Sequence, residues 1–282
     1  MKGILKLMRL DKPIGIYLLW FPTAWALALT YGQQPPLQIL IYFLLGTVCM
    51  RSAGCIINDI ADRRIDGHVW RTKNRPLVTG ETSLITAWLL LCALLFVALI
   101  ILIQLPKNCF YVALLAVCLT FIYPFCKRFL PTPQMILGFA FACSIPMVNI
   151  ASAQPWSNSL TLLVFLTVIW VISYDTEYAL ADLADDRQVG ILSSAIYFGR
   201  HVKSIIIALQ VIMHCLWLII AYSSNLSHSF YVFWFVAWFF CLPQWYLLTK
   251  NNPQLYLQAF KLNAWYGLFM WLGVSVSMIP NF

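Results

Sequence analysis

Nine stretches of about twenty mostly apolar residues follow one another along this chain, and they limit its possible folds more than any other feature. At about 1.5 Å per residue, twenty helical residues match a hydrocarbon core of about 30 Å. Hydrophobic residues make up 62% of the chain and charged residues 10%, too few charges to cover a soluble surface. We therefore predict an all-α integral membrane protein. Its nine transmembrane helices should lie at approximately residues 14–31, 37–57, 84–104, 109–126, 134–151, 160–181, 204–223, 229–248 and 262–280.

The first stretch could be mistaken for a signal peptide, because Ala26-Leu27-Ala28 resembles a cleavage site. Its apolar run is long for a signal peptide, and eight further spans need no cleavable leader. No connection between spans is long enough for a second domain. We expect residues 1–282 to form a single transmembrane domain.

Basic residues collect on one side of the predicted membrane. If the N-terminus is cytoplasmic, sixteen Lys and Arg side chains fall in cytoplasmic segments, against Lys107 alone outside and Arg51 within the second span. This asymmetry predicts a cytoplasmic N-terminus and a periplasmic C-terminus. It also accounts for the net charge of +8, which therefore does not indicate nucleic-acid binding. We expect contact with membrane lipid and no nucleic-acid partner. The lack of a long Arg- and Ser-rich leader favours a bacterial inner membrane over a mitochondrial one.

Eight of the ten acidic residues gather in two short segments, residues 58–66 and 175–186, directly after the second and sixth spans. If each span continues as a helix, residues four apart share one face. Asn58, Asp62 and Asp66 then line up on one helix. Tyr178, Asp182 and Asp186 line up on the other, at a constant offset of 120 residues.

Two helices that present such acid pairs to each other would form a four-carboxylate cage, and hard oxygen ligands of this kind suit Mg²⁺. A single Asp at the end of a span more often only solvates that end. Like charges on one helix face repel each other unless a cation lies among them, so the repeated arrangement favours a metal site.

A basic run, Arg71-Thr72-Lys73-Asn74-Arg75, follows the first acidic segment. Arginine suits bidentate contacts with phosphate oxygens, and lysine contributes a point charge. Such a loop alone is more often a topology signal. Beside acidic clusters, it indicates a site for a metal-bound diphosphate.

The motifs Asn58-Asp-x-x-Asp62-x-x-x-Asp66, Arg71-x-x-x-Arg75-Pro76 and Tyr174-Asp-x-x-Tyr178-x-x-x-Asp182-x-x-x-Asp186 resemble the two aspartate-rich motifs of the UbiA superfamily of intramembrane aromatic prenyltransferases. Arg9-Leu-Asp-Lys-Pro-x-Gly15 and Tyr123-Pro-Phe-x-Lys-Arg128 extend the similarity, in particular to the 4-hydroxybenzoate polyprenyltransferases of ubiquinone synthesis. The resemblance covers nearly the whole chain.

This resemblance implies helices around a central cavity, with a polyprenyl tail in an apolar channel open to lipid. It implies Mg²⁺-dependent transfer of the polyprenyl group of a polyprenyl diphosphate to the ring carbon ortho to the hydroxyl of 4-hydroxybenzoate. The Mg²⁺ ligands would be Asp62, Asp66, Asp182 and Asp186, with Asn58 alongside.

The diphosphate would be held by Arg71, Lys73 and Arg75. Tyr174 and Tyr178 could place ring faces near a developing allylic cation, or they could simply pack between helices. For the benzoate carboxylate, Arg128 is the first candidate and Arg51 the second.

Two alternatives stay open at this point. Intramembrane acids also mark the pathways of cation-coupled transporters, but these distribute acids across membrane depth and break helices near the midplane, and we expect neither feature in this chain. A UbiA-type enzyme could also use another aromatic or quinone-precursor acceptor, because the acidic motifs are shared across the superfamily. Two other groups of residues should lie outside the main site. We expect Asp175, Glu177 and Asp185 to orient it from beside it, and the four histidines show no ligand spacing.

Overall fold

The computed structural model describes residues 2–32 and 34–278, and in that part of the chain the regular secondary structure is entirely helical. The fourteen α-helices are α1 (Lys2–Leu7), α2 (Ile14–Tyr31), α3 (Leu37–Asp62), α4 (Pro76–Thr79), α5 (Leu84–Leu102), α6 (Cys109–Cys126), α7 (Gln134–Ala142), α8 (Ser144–Ser152), α9 (Asn158–Val189), α10 (Ser194–Phe198), α11 (Val202–Ser223), α12 (His228–Trp238), α13 (Cys241–Thr249) and α14 (Pro253–Ser277). The predicted all-α class is confirmed.

Eight helical segments among the described residues are long and apolar enough to cross a membrane. They correspond to the first eight predicted spans. Two of them are each broken near the middle into a pair of shorter helices, α7 with α8 and α12 with α13, so the expectation of unbroken spans is wrong there. Each break lies just ahead of a proline, Pro146 in α8 and Pro243 in α13, because a proline ring clashes with the carbonyl four residues earlier and removes a helical hydrogen bond.

The ninth long helix, α14, begins at Pro253 and so starts earlier than the predicted span. Its most apolar stretch is weaker than those of the other eight, and it packs against α2, α9, α12 and α13. Nine long helical segments are therefore present in the described part of the chain. Residues 279 and 280 of the predicted ninth span lie outside the described residues.

Three fully buried tryptophans hold α2, α9 and α11 together. The ring of Trp25 lies 4.9 Å from that of Trp170 and 5.2 Å from that of Trp217, measured between centroids. Such tilted aromatic pairs contribute about 0.5–1.5 kcal/mol each beyond their buried area. Trp25 also donates a hydrogen bond to the backbone oxygen of Gly267 in α14, at 3.1 Å. This packing fixes α9, the helix that carries the second acidic segment.

Both acidic segments continue the preceding spans, as predicted, because α3 extends to Asp62 and α9 to Val189. The expectation that Asp66 shares a helix face with Asn58 and Asp62 is wrong. The helix ends at Asp62, and Asp66 begins a separate 3₁₀ turn, Asp66–His68. The chain turns back here because the buried Asp66 carboxylate pairs with Arg75, at 2.6 Å.

Candidate active site

A cavity of about 1330 Å³ lies between α2, α3, α5, α6, α7, α8, α9 and α14. Its walls are mostly apolar, except where the C-terminal ends of α3, α6 and α9 meet. We call that region the acidic end of the cavity. The central cavity that the family resemblance implied is thus present.

The first acidic segment is held at the acidic end by ion pairs. Asp59, only 1% exposed, accepts hydrogen bonds from Arg9 and lies 3.1 Å from an Nη atom of Arg75. Arg75 also contacts Asp66, and Lys127 of the α6 end lies 3.2 Å from Asp62. One arginine therefore ties the end of α3 to the loop that follows it.

The second acidic segment faces the same loop. Arg71 donates from Nε to Asp182 at 2.8 Å, and the backbone N–H of Trp70 donates to Asp185 at 2.9 Å. Asp182 and Asp186 are buried and line the cavity. The loop after α3 therefore brings both acidic segments to one end of the cavity.

The basic residues of this loop divide into two kinds. Arg71 and Arg75 line the cavity, whereas Lys73 is exposed and lies away from the cavity wall. Burial opposes the charge on Arg75, but the carboxylates of Asp59 and Asp66 raise its pKa above the ordinary value. Burial raises the pKa of Asp66, because it disfavours the charged carboxylate, and the positive charge of Arg75 opposes this shift. Arg75 therefore stays charged between the acidic groups of Asp59 and Asp66 in a confined space.

The four predicted metal ligands are not gathered into a cage. Among the described residues, no three Asp, Glu, His or Cys side chains converge as a metal site. The carboxylates alternate instead with Arg71, Arg75 and Lys127, since buried like charges need cations between them. As donors, Asp62, Asp66, Asp182 and Asp186 fit Mg²⁺, because all are carboxylates and all are less than 9% exposed. Asp182 and Asp186 line the cavity, whereas Asp62 and Asp66 do not and pair with Lys127 and Arg75 of its wall. Their role as ligands stays a prediction.

Arg51 lies on α3, seven residues before Asn58, and both line the cavity. Its Nε atom is fully buried and has no hydrogen-bond partner in the described part of the chain. No carboxylate among the described residues forms an ion pair with it. A side chain on Gly15 would overlap the Arg51 guanidinium, which explains the glycine of the N-terminal motif. Asp175, which also lines the cavity, acts on Arg51 only from beyond ion-pair distance. A buried cation without a close partner is costly, so a ligand carboxylate in contact with Arg51 would be stabilised.

Two tyrosines of α9 also line the cavity. The Arg71 guanidinium lies 4.4 Å from the ring centroid of Tyr178, and the Tyr178 ring packs against Phe260. Tyr174 packs against Trp170 and Phe260, and its buried hydroxyl has no partner among the described residues. The sequence left open whether these rings face the site or pack between helices. Both rings do both.

Arg128, the first candidate for the acceptor carboxylate, is exposed and stands over the ring of Phe125 rather than at the cavity. Its neighbour Lys127 lines the cavity instead. Sequence reasoning missed Lys127, although Tyr123 four residues earlier shares its helix face and donates to Asp175 at 3.3 Å. Asp175 was expected beside the site and lies on the cavity wall. Arg9 was missed as well, and only its place in the N-terminal motif could have revealed it.

Glu177 has a different environment from the other acids of its segment. It is fully buried on the far side of α9, where Gln210 and Asn263 donate to its two oxygens at 3.0 and 2.9 Å. Gln244 and two tryptophan indoles complete this polar cluster. It ties α9 to α11, α13 and α14 and orients the cavity face of α9 from behind.

Residues 19–273 match the model of the UbiA prenyltransferase family. The chain belongs to this family. A 4-hydroxybenzoate octaprenyltransferase of Legionella pneumophila (strain Paris) is 48% identical over 97% of both chains. The family predicted from the sequence is confirmed.

Two solved structures share the fold of this UbiA family member. An apo UbiA homologue from Aeropyrum pernix K1 superposes with a TM-score of 0.80 at 23% identity, covering 94% of this chain and 98% of that one. A UbiA homologue from Archaeoglobus fulgidus bound to GPP and Mg²⁺ superposes with a TM-score of 0.68 at 19% identity, covering 97% and 99%. The chain is accordingly a multi-pass membrane protein with the UbiA fold.

Proposed function

We propose that this UbiA family member transfers the polyprenyl group of a polyprenyl diphosphate to the ring carbon ortho to the hydroxyl of 4-hydroxybenzoate, a step of ubiquinone biosynthesis. The observation that carries this assignment is Arg51, a cation at the cavity wall that forms no ion pair with a carboxylate of the described residues. An acceptor with a carboxylate supplies such a partner. The activity named for the Legionella relative supports the same assignment.

The donor's diphosphate would bind at the acidic end. Arg71, Arg75 and Lys127 already present their charged groups there, each next to a carboxylate. Lys73, exposed and off the cavity wall, contributes at most long-range charge. Arginine forks match phosphate oxygens, so these side chains can exchange a carboxylate partner for a phosphate partner.

Asp62, Asp66, Asp182 and Asp186, with Asn58, would hold Mg²⁺ at this end. When bound, Mg²⁺ supplies positive charge that stabilises the departing diphosphate. The binding of GPP and Mg²⁺ by the Archaeoglobus fulgidus homologue agrees with this arrangement.

The protein's own groups have separate tasks in the transfer. Arg71 and Arg75 stabilise the charge that develops on the leaving diphosphate as the C–O bond of the prenyl group breaks. The ring of Tyr178, which already faces a guanidinium, can face the allylic cation that remains. Arg51 orients the acceptor through its carboxylate, and the ring carbon ortho to the hydroxyl then forms the new bond. Loss of the ring proton restores aromaticity.

We further propose that the acidic end faces the cytoplasm of a bacterial cell, with the N-terminus inside and the C-terminus in the periplasm. The placement of sixteen basic residues on that side supports this orientation. Cysteine residues introduced at exposed loop positions and labelled from either side of the membrane would test it. Labelling of position 73 from the periplasmic side would contradict it.

The decisive assay uses the purified protein in detergent with a polyprenyl diphosphate and several acceptors, with and without Mg²⁺. We expect turnover only with 4-hydroxybenzoate and analogues that keep its carboxylate. Turnover with a carboxylate-free quinone precursor would assign another acceptor class. Ion flux in liposomes without prenylation of any acceptor would assign a transporter instead.

Arg51→Ala tests the acceptor site within that assay. Truncating one partner of a buried charge pair costs about 2–5 kcal/mol, at least roughly 30-fold in affinity. We expect that loss in KM for 4-hydroxybenzoate, with a much smaller change in KM for the diphosphate. Arg128→Ala is the matched control, because it removes an equal charge from outside the cavity.

A further inference from the structure

One face of α3 lines the cavity over most of the helix. The residues of that face recur every three or four positions, as one side of a helix requires: Phe43, Gly46, Met50, Gly54 and Asn58. Asn58 lies at the acidic end. Gly46 comes twelve residues earlier, about 18 Å away along the helix axis at about 1.5 Å per residue.

Gly46 lacks the usual structural reasons for a glycine within a helix, where glycine costs about 1 kcal/mol relative to alanine. Its φ is not positive, unlike those of Gly32, Gly80, Gly190 and Gly199. A Cβ atom built on Gly46 meets no heavy atom within 4 Å. Neither the backbone conformation nor helix packing therefore requires glycine at this position.

The other helical glycines of the described chain differ in this respect. A Cβ atom on Gly138 would lie 3.0 Å from the backbone of Val168, and one on Gly273 would lie 2.8 Å from Phe233. Gly54, on the same face of α3, already has Thr120 at 3.4 Å. Only at Gly46 does the missing side chain leave open space inside the cavity instead of room for a neighbouring helix.

We propose that Gly46 determines how long a prenyl tail the protein accepts, because its missing side chain keeps the inner part of the cavity open. This inference rests on the proposed function and deepens it. At about 1.2 Å per backbone bond, as in an extended peptide, a geranyl group reaches about 10 Å and an octaprenyl group about 38 Å. A geranyl tail bound at the acidic end stops short of Gly46, whereas an octaprenyl tail extends past it.

The apolar side chains that surround this part of the cavity suit such a tail. The cavity residues of α5 and α6 are mostly apolar, Leu95, Ala98, Leu99, Leu102 and Val117 among them. A large side chain at position 46 would occupy the open space beside Gly46, along which the tail would run. The protein would then accept only tails short enough to end near this position.

The test compares Gly46→Phe and Gly46→Leu with the unmodified protein, using geranyl and octaprenyl diphosphates, 4-hydroxybenzoate and Mg²⁺ in detergent. We expect the ratio of kcat/KM for octaprenyl over geranyl diphosphate to fall at least tenfold in Gly46→Phe and by less in Gly46→Leu. Leu45→Phe is the matched control: it adds the same ring to the adjacent position, which is 48% exposed and outside the cavity wall, and should leave the ratio unchanged.

Gly54→Phe gives a second comparison, since Gly54 lies only about 6 Å from Asn58 along the helix and should obstruct both donors. The thermal midpoint of Gly46→Phe should not fall, because a helical glycine is replaced in open space. An unchanged donor ratio, or equal losses with both donors in both Gly46 variants, would overturn the proposal. If the unmodified protein prenylates no acceptor with any donor, the proposed function fails instead, so the two failures are distinguishable.

Discussion

The Arg51 guanidinium occupies the space that a side chain on Gly15 would fill, with its Cζ atom 2.6 Å from the position of that Cβ. The N-terminal motif and the middle of α3 are thus coupled through one contact. The glycine is needed for the room it leaves, and the arginine is a buried cavity cation whose Nε atom has no hydrogen-bond partner among the described residues.

Gly15→Ala should displace Arg51 and weaken binding of the acceptor. We expect KM for 4-hydroxybenzoate to rise about tenfold, equivalent to about 1.4 kcal/mol, with a smaller effect on KM for the donor. A double-mutant cycle gives the control. In an Arg51→Ala background the space is vacant, so Gly15→Ala should cause no further loss, and an equal loss in both backgrounds would show that Gly15 acts in another way.

Lys127 and Arg128 are adjacent in sequence but lie in different environments, which makes them a matched pair. Lys127→Ala removes the partner of Asp62 and a cavity cation. We expect kcat/KM for the diphosphate to fall at least tenfold. Arg128→Ala removes the same charge from the exposed surface and should change it less than twofold. Equal effects in steady-state assays at one ionic strength would point to a general charge effect.

The difference between these two residues shows what the sequence could and could not predict. The helices were predictable because length and hydropathy alone determine a membrane span. The choice between Lys127 and Arg128 needed the phase of α6, since one residue is about 100° of rotation. Tyr123, four positions before Lys127, shows which face of α6 meets the cavity, but only once its contact with Asp175 is known.

Asp66 was misplaced for another physical reason. Spacing of four predicts a shared face only while the helix continues, and α3 ends at Asp62. Its end depends on a tertiary contact, the pairing of Arg75 with both Asp59 and Asp66. The breaks before Pro146 and Pro243 also needed the structure, because Pro22 and Pro124 lie inside α2 and α6 without breaking them.

Asp62→Asn and Asp182→Asn should each lower turnover at least tenfold, because each removes a charge proposed to hold Mg²⁺ from a different helix. Raising the Mg²⁺ concentration should restore part of the activity if metal affinity is what is lost. Binding of Mg²⁺ together with a non-hydrolysable diphosphate, measured by calorimetry, separates binding from chemistry. Full activity in both variants, properly inserted in the membrane, would remove these residues from the site.

The cluster around Glu177 should matter for stability more than for chemistry. Glu177→Leu removes the carboxylate that accepts from Gln210 and Asn263. Asn263 keeps Gln244 and two backbone oxygens as acceptors, whereas Gln210 keeps Gln244 for only one of its two N–H groups, and an unsatisfied buried donor costs about 1–3 kcal/mol. Glu177→Gln keeps one acceptor oxygen and should lose less. We expect thermal midpoints in detergent to fall in the order unmodified protein, Glu177→Gln, Glu177→Leu. At a temperature where all three are folded, KM for the donor should change little, because the cluster lies on the side of α9 away from the cavity. A large rise in KM for the donor with an unchanged thermal midpoint would instead show that Glu177 acts directly on the donor site.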